Sequence, residues 1–205
     1  MQVEENLKLS IITISFNSAK TIEETIQSVL NQSYKNFEYI IIDGGSTDGT
    51  LEIIEKYKDR ITYFVSEKDY GLYHAMNKGI KKASGDIIGM INSDDYYLDG
   101  AFEKVVKSFW GKSLDEHILW GDILYRDSIV KGWREENLKI GAFAPHPSMF
   151  CPKVVYDKIG VYKLWYKILA DYDFMYRAIH KHKIKPIYLP EILAFFRDVG
   201  VASQN

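Results

Sequence analysis

Two adjacent carboxylates, Asp94 and Asp95, follow the apolar run DIIGMIN and form the strongest concentration of chemistry in the chain. A hard cation such as Mg²⁺ or Mn²⁺ prefers oxygen donors and is often held by one or two carboxylates plus substrate phosphates. Such a cation would neutralise a diphosphate and stabilise it as a leaving group. No Lys or Arg lies within INSDDYYLDG to neutralise the pair locally. An ordinary strand-to-helix turn also uses Asn, Ser and Asp, so the pair alone leaves both readings open.

Four further clusters carry candidate groups. Asp43 ends FEYIIID and is followed by GGSTDGT. Gly44 and Gly49 have phosphate-loop spacing, but Thr50 stands where Lys is required, and no G-x-G-x-x-G occurs. Asp43 is left as a carboxylate at a strand tip, able to accept a hydrogen bond from a nucleobase N–H. SEKDYGLYHAMNKGI (66–80) offers Asp69 and Lys78 to a nucleotide; its His74 reads more readily as a structural residue. In LADYDFMYRA (169–178), Asp171 and Asp173 sit at a helix start, where charge is favourable on its own account. One of them could instead be a general base toward an acceptor hydroxyl. Arg177 lies four residues beyond Asp173, which suggests an orienting role for Asp173 and leaves Asp171 freer. His146, between Pro145 and Pro147, is a candidate substrate contact in a stiffened loop.

These residues need elements to hold them. Leu9 to Ser15, Phe37 to Ile42, Ile61 to Val65 and Asp86 to Ile91 read as strands. Between them, 19–32, a segment from Ser46 to Tyr57, and 72–83 read as amphipathic helices, the first capped by Ser18. This alternation predicts a parallel sheet with helices on both faces, and ligands beyond the strands' carboxyl ends. Beyond residue 98 the reading is less regular. Short strands are expected at 118–120 and 123–125, with 129–133 pairing to them; helices at 153–159 and 171–182; and extended chain at 184–189 and 192–197.

Of the 205 residues, 46% are hydrophobic and 26% charged, enough apolar content for a packed core, and the net charge of −2 argues against nucleic-acid binding. Cys151 is the single cysteine, so no internal disulfide or thiolate cluster is available. The opening MQVEENLKLSIITIS lacks a secretory pattern and no run is long enough to span a bilayer, which predicts a soluble, cytoplasmic protein. Aromatic residues reach 14%, with 15 tyrosines, suited to stacking on sugars or touching a membrane interface.

The segments SIITISFNSAKTIEETIQSVLNQSYKNFEYIIIDGGSTDGT, SEKDYGLYHAMNKGI, INSDD and ADYDFMYR together resemble family 2 glycosyltransferases, especially bacterial enzymes of polysaccharide synthesis. The resemblance runs over nearly the whole chain. It implies the α/β GT-A fold, three layers around a mainly parallel sheet, as one domain: residues 1–98 binding the nucleotide-sugar, residues 99–205 the acceptor and catalytic half. It implies that Ser15, Phe16, Asn17 and Asp43 hold base and ribose, with Asp69 and Lys78 near the nucleotide. It assigns Asp94 and Asp95 to ribose, diphosphate and a Mn²⁺ or Mg²⁺ ion, and Asp171 to the catalytic base of an inverting transfer. His146 and Asp173 are then acceptor-side residues. The implied partners are a nucleotide-diphosphate sugar, UDP-linked by default, and a saccharide or lipid-linked acceptor, with peripheral contact at the inner face of the membrane.

Three departures stand out. Asn92 replaces an acidic residue common at the start of the metal motif, and His74 stands where relatives often have Asp. The chain also ends at Asn205, where relatives usually continue into further helices, so a short or truncated acceptor half is expected. Two other functions fit parts of the pattern. A sugar-phosphate nucleotidylyltransferase would share the sheet but needs a basic, Gly-rich N-terminal loop, and SFNSAKTIEE offers only Lys20. A non-catalytic nucleotide-sugar-binding module would share the site without the base.

Overall fold

The computed structural model describes residues 6–132 and 145–197. Its first half is parallel, in the order β3-β2-β1-β4. These strands are β1 (Leu9–Ser15), β2 (Phe37–Asp43), β3 (Tyr63–Ser66) and β4 (Ile87–Asn92). The crossovers are α1 (Ile22–Leu30), α2 (Thr50–Glu55) and α3 (Leu72–Lys82). β1 lies between β2 and β4 and is buried on both faces, which is why its sequence reads as a nearly continuous apolar run. Its alternate residues feed two cores. Ile12 and Ile14 pack with Tyr73, Met76 and Ile80 of α3, while Leu9 and Ile11 pack with Ile22, Ile26 and Val29 of α1. α3 comes very close to β1, since a Cβ on Gly79 would stand 2.5 Å from Ile12 Cγ2.

The helix starts differ from the sequence expectation. α1 begins at Ile22, and the Ser18 hydroxyl does not cap it; it meets Ser93 Oγ at 2.6 Å and donates to the Phe16 carbonyl. The Ser18 carbonyl accepts from the backbone of Thr21 and Ile22 instead. A tertiary partner has outcompeted the local cap.

The second half contains β5 (Tyr96–Tyr97), α4 (Ala101–Phe109), β6 (His117–Tyr125), β7 (Ser128–Val130) and β8 (Met149–Pro152). It continues with α5 (Lys153–Ile159), α6 (Ala170–Tyr176) and β9 (Lys185–Phe196). The sheet extends as β4-β8-β6-β9-β5, with β7 on β6. β8 is antiparallel to both β4 and β6, so β6 and the β9 beside it run in the direction of the first four strands. Only β5, β7 and β8 oppose them, and the sheet is mainly parallel.

Two pairs of expected short strands are each one long strand. Residues 118–120 and 123–125 lie in β6, and 184–189 and 192–197 merge into β9, which ends at Phe196. The break inferred at Pro190-Glu191 is a bulge: Leu189 pairs with Gly121 and Ile192 with Asp122, with nothing opposite the residues between. β7 pairs with β6 as the 129–133 segment predicted; Trp133 lies outside the described residues. The 171–182 helix is α6 continued by a wider turn at Arg177–Lys181. α4 was not anticipated, although Phe102, Val105, Val106 and Phe109 have helical spacing and all are buried.

The helices form layers on either side. Residues of α3, α5 and α6 share one core with Trp120 and Cys151, and residues of α1 and α4 share the other with Phe150 and Leu193. At the amino end of β2, away from the strand ends of interest, Glu38 is buried under Lys8, Ser10, Ser84 and Gly85. It accepts from Lys8 Nζ at 2.8 Å, Ser10 Oγ at 2.5 Å and the Ser84 backbone at 2.6 Å. Burial opposes its charge, but these donors hold its carboxyl down at about 2 from an ordinary 4.5. A depressed carboxyl stabilises the fold above its unfolded pKa and loses that contribution as pH falls toward its folded one. Acid unfolding followed by circular dichroism should therefore show stability lost between pH 4.5 and about 2. Glu38→Gln should flatten that dependence and lower stability at neutral pH by about 1–3 kcal/mol.

Candidate active site

The strand register brings Ser15, Asp43 and Ser66 to one level, with Ile14 opposite Asn92, so four strands end along one rim. Asp43 organises that rim. Its Oδ2 accepts from the backbone of Gly45 (3.0 Å) and Ser46 (2.8 Å) and from Ser66 Oγ (2.7 Å), and Oδ1 accepts from Ser46 Oγ (2.5 Å). The carboxylate expected to receive a nucleobase N–H is thus taken up by four donors of its own chain.

β1 joins this rim through its own exit. Asn17 sits in the left-handed region (φ 48°), a conformation Asn tolerates better than most residues. Its N–H donates to Ser46 Oγ at 2.7 Å and its Oδ1 accepts from the Thr47 backbone at 2.9 Å. The Gly44 backbone donates to the Ser15 carbonyl at 2.8 Å. A Cβ at Gly44 would stand 3.3 Å from the Phe16 ring, which lies over the glycine and is 58% exposed. Ser15, Phe16, Asn17 and Asp43 are therefore together, as the sequence reading required.

Beyond β3, Asp69 and Lys78 meet. Asp69 Oδ1 binds Lys78 Nζ at 2.6 Å and His74 Nδ1 at 2.8 Å, and Lys78 also reaches Glu67 at 2.7 Å. Burial works against the Lys78 charge, but the two carboxylates outweigh it and raise its pKa. His74 joins the cluster by holding Asp69, which fits its structural reading.

At the end of β4, Asp95 is 1% exposed. Its carbonyl accepts from Thr25 Oγ1 of α1 at 2.6 Å, and its Oδ1 accepts from the Arg197 backbone at 2.8 Å. Its Oδ2 is buried with no partner among the described residues. Burial, with the neighbouring Asp94 charge, pushes the Asp95 carboxyl up to about 8, and burial also raises Asp94. Arg197 is the residue that sequence reading missed. It is the nearby cation that local sequence lacked, placed by the far end of β9; its guanidinium pairs with Glu24 and lies 5.6 Å from the Tyr96 ring centre. A buried carboxylate oxygen lacking a donor suits a divalent ion. Among the described residues no third His, Cys, Asp or Glu joins the pair, so phosphate oxygens would complete the coordination.

On the α6 side, Tyr73 of α3 donates its hydroxyl to Asp171 Oδ1 at 3.0 Å. Burial and the Asp171 charge both raise the Tyr73 pKa, so the tyrosine remains a donor. His146 has both ring nitrogens buried without a partner among the described residues. Burial lowers its pKa, while the nearby Asp171 carboxylate works in the opposite direction. Asp173 is bound by Arg177 Nε at 2.8 Å, and that guanidinium also donates to the carbonyls of Ile159 (2.6 Å) and Val161 (2.9 Å). The i, i+4 pairing of Asp173 with Arg177 expected from the spacing is formed.

One pattern unites these pieces. Ser15 Oγ, Asp69 Oδ2, Asn92 Oδ1, Asp95 Oδ2 and both His146 nitrogens are buried polar atoms without partners among the described residues. Native interiors rarely leave such atoms unsatisfied, and functional sites are where they persist. Four of them belong to the ends of β1 and β4 or the chain following β3 and β4.

Comparison with known proteins identifies the family and the fold. Residues 10–184 match the family model described as glycosyl transferase family 2. Escherichia coli WfaP, named as a UDP-Glc:alpha-D-GlcNAc-diphosphoundecaprenol beta-1,3-glucosyltransferase, is 31% identical over 183 residues, covering 79% of this chain and 70% of WfaP. The structure of S. aureus TarS 1-349 in complex with UDP superposes with TM-score 0.76 at 22% identity, over 93% of this chain and 60% of that one. The Pyrobaculum calidifontis mannosyltransferase PcManGT, in complex with GDP-Man and Mn²⁺, gives 0.71 at 17%, over 92% of this chain and 56% of that one. Both structures share the GT-A architecture, and this chain spans less than two thirds of either.

The raised carboxyl of Asp95 sets a sign that can be measured. A carboxyl favoured as the free acid in the fold lowers stability as pH rises from 3.8 to about 8. In chelator, Asp95→Asn should remove that loss, so its melting temperature should exceed wild type increasingly toward pH 8. Asp43→Asn should instead lower stability by about 1–3 kcal/mol, because a buried donor loses its acceptor.

Proposed function

We propose that this chain, which belongs to glycosyl transferase family 2, moves a sugar from a nucleotide-diphosphate donor to a hydroxyl of a saccharide or lipid-linked acceptor in cell-surface polysaccharide synthesis. The supporting observation is that Ser15, Asp69, Asn92 and Asp95, at or just beyond the carboxyl ends of β1, β3 and β4, each carry a buried polar atom without a partner among the described residues. On this reading Ser15, Phe16, Asn17, Asp69 and Lys78 receive the nucleotide, with Phe16 offering its exposed ring to the base. UDP is the default base carrier, since WfaP is named for UDP-Glc and TarS was captured with UDP. Asp94 faces ribose and diphosphate. Asp95 holds Mn²⁺ or Mg²⁺, which supplies charge neutralisation to the leaving diphosphate.

Asp171 is the general base. It takes the acceptor hydroxyl proton while that oxygen bonds to the anomeric carbon and the bond to the β-phosphate oxygen breaks, inverting the centre in one step. Tyr73 orients the carboxylate, and His146, beside it, contacts the acceptor. Asp173 acts on the acceptor side through Arg177, which ties the segment before α6 to the helix. The nucleotidylyltransferase reading is weaker, because Lys20 is the sole basic residue of its would-be triphosphate loop and is solvent-exposed. The non-catalytic reading differs only in lacking a working base. No helix among the described residues is long and apolar enough to cross a membrane, and we place the enzyme in the cytoplasm at the inner membrane face.

UDP or GDP with Mn²⁺ should raise the melting temperature, and Asp95→Ala should abolish the rise. If no nucleoside diphosphate stabilises the protein with any divalent ion, the central reading fails. Asp171→Asn should keep the nucleotide response but slow donor turnover by roughly 10²–10⁴-fold. Equal turnover in wild type and variant would leave a binding module.

A further inference from the structure

We propose that the loop of residues 161–169 is a membrane-docking surface that seats the active site on an anionic lipid bilayer. The proposal deepens the transferase reading and rests on it for the substrate, though the lipid contact itself does not require it.

The loop, VYKLWYKIL, contains three kinds of residue. Val161, Leu164, Trp165, Tyr166, Ile168 and Leu169 are large apolar side chains turned to solvent, with Trp165 72%, Ile168 71% and Leu164 54% exposed. Lys163 and Lys167 punctuate them, and the Lys163 ammonium lies 5.4 Å from the Trp165 ring centre. Tyr162 is the anchor, buried against Tyr73, Tyr156 and Phe174. Its backbone is clamped by the Asn77 side chain, which donates to the Tyr162 carbonyl at 2.8 Å and accepts from its N–H at 3.1 Å. The apolar residues are therefore held outward by a fixed base. A monomeric surface rarely carries so dense a patch without a use.

The chemistry selects the partner. Tryptophan and tyrosine favour the headgroup boundary of a bilayer, where an apolar body and a polar tip are both satisfied. Lysines interleaved with them add attraction to anionic headgroups. Between Asp157 and Glu191 the chain carries seven Lys and Arg but only two acids, Asp171 and Asp173, although its overall charge is −2. Asp173 is bound by Arg177, and Asp171 belongs to the active site. Lys185 pairs with Glu116, but residues 158–170 themselves hold three lysines and no acid, so the loop's own charge is positive.

The position gives the surface its purpose. Leu169 takes φ 70°, a conformation a branched side chain rarely adopts, and turns the exposed loop directly into α6. Asp171 follows two residues later. A bilayer against Leu164, Trp165 and Ile168 would hold a lipid-linked acceptor near the base that deprotonates it, replacing a three-dimensional search by one in a plane.

Cosedimentation of the full chain with phosphatidylcholine vesicles, with and without phosphatidylglycerol, tests this. The wild type should bind the anionic vesicles, less so at high salt. Trp165→Ser/Ile168→Ser should weaken binding by about tenfold or more, with circular dichroism confirming an intact fold. Lys163→Gln/Lys167→Gln should lose the preference for anionic lipid. A wild type that ignores vesicles, or an apolar double variant that binds as well as wild type, overturns the proposal. So does sedimentation velocity showing that the apolar variant merely splits a dimer, because a second copy then covers the patch. Vesicle binding without any nucleotide response would instead sink the transferase reading and leave the docking surface standing.

Discussion

A buried carboxylate is tolerable only when the surrounding chain supplies donors, and Asp43 draws its four from the loop after β2 and from the end of β3. Ser46, which donates to Asp43 twice, also accepts from the Asn17 backbone, so β1 is tied to the same centre. Three strand ends are thereby fixed against one another before any ligand arrives. The floor of the rim is a preorganised surface, tied together by one acidic side chain.

The other side of the rim is built on the opposite principle. Asp95 is gripped at its carbonyl by Thr25 and at one carboxylate oxygen by the Arg197 backbone, yet its second oxygen has no donor among the described residues. A fully satisfied carboxylate and a half-satisfied one thus stand at the ends of neighbouring parts of one sheet. The first resists change, and the second stores unfavourable electrostatics that a cation relieves.

Much of the architecture was legible because it is local. The β-branched runs of β1, β2 and β4 and the helical faces between them specify a parallel half whose carboxyl ends carry the polar clusters. Asp94, Asp95, Asp69 and Asp171 stand out as candidates from residue type and position at element ends, and Lys78 from residue type on a helix that follows such an end. What escaped was non-local. Arg197 reaches Asp95 across 102 residues of sequence, and Tyr73 reaches Asp171 across 98. Nothing near Asp43 announces that Ser66 will complete its donor set. Pro190 misled for a related reason: in β9 the bulge absorbs it, and only the pairing with β6 reveals that the strand continues. The apolar spacing of α4 was present and went unread.

The clasp between the Arg197 backbone and Asp95 also orders events in time. The first four strands and the Asp43 floor leave the ribosome well before residue 197, so a nascent chain holds its Asp43 network while the surroundings of Asp95 are still half made. Only when β9 threads in beside β6 and β5 does Asp95 receive its second grip. Any ligand that prefers the finished site favours that last docking step by mass action. Closure of the sheet and completion of the Asp95 environment are thereby one event.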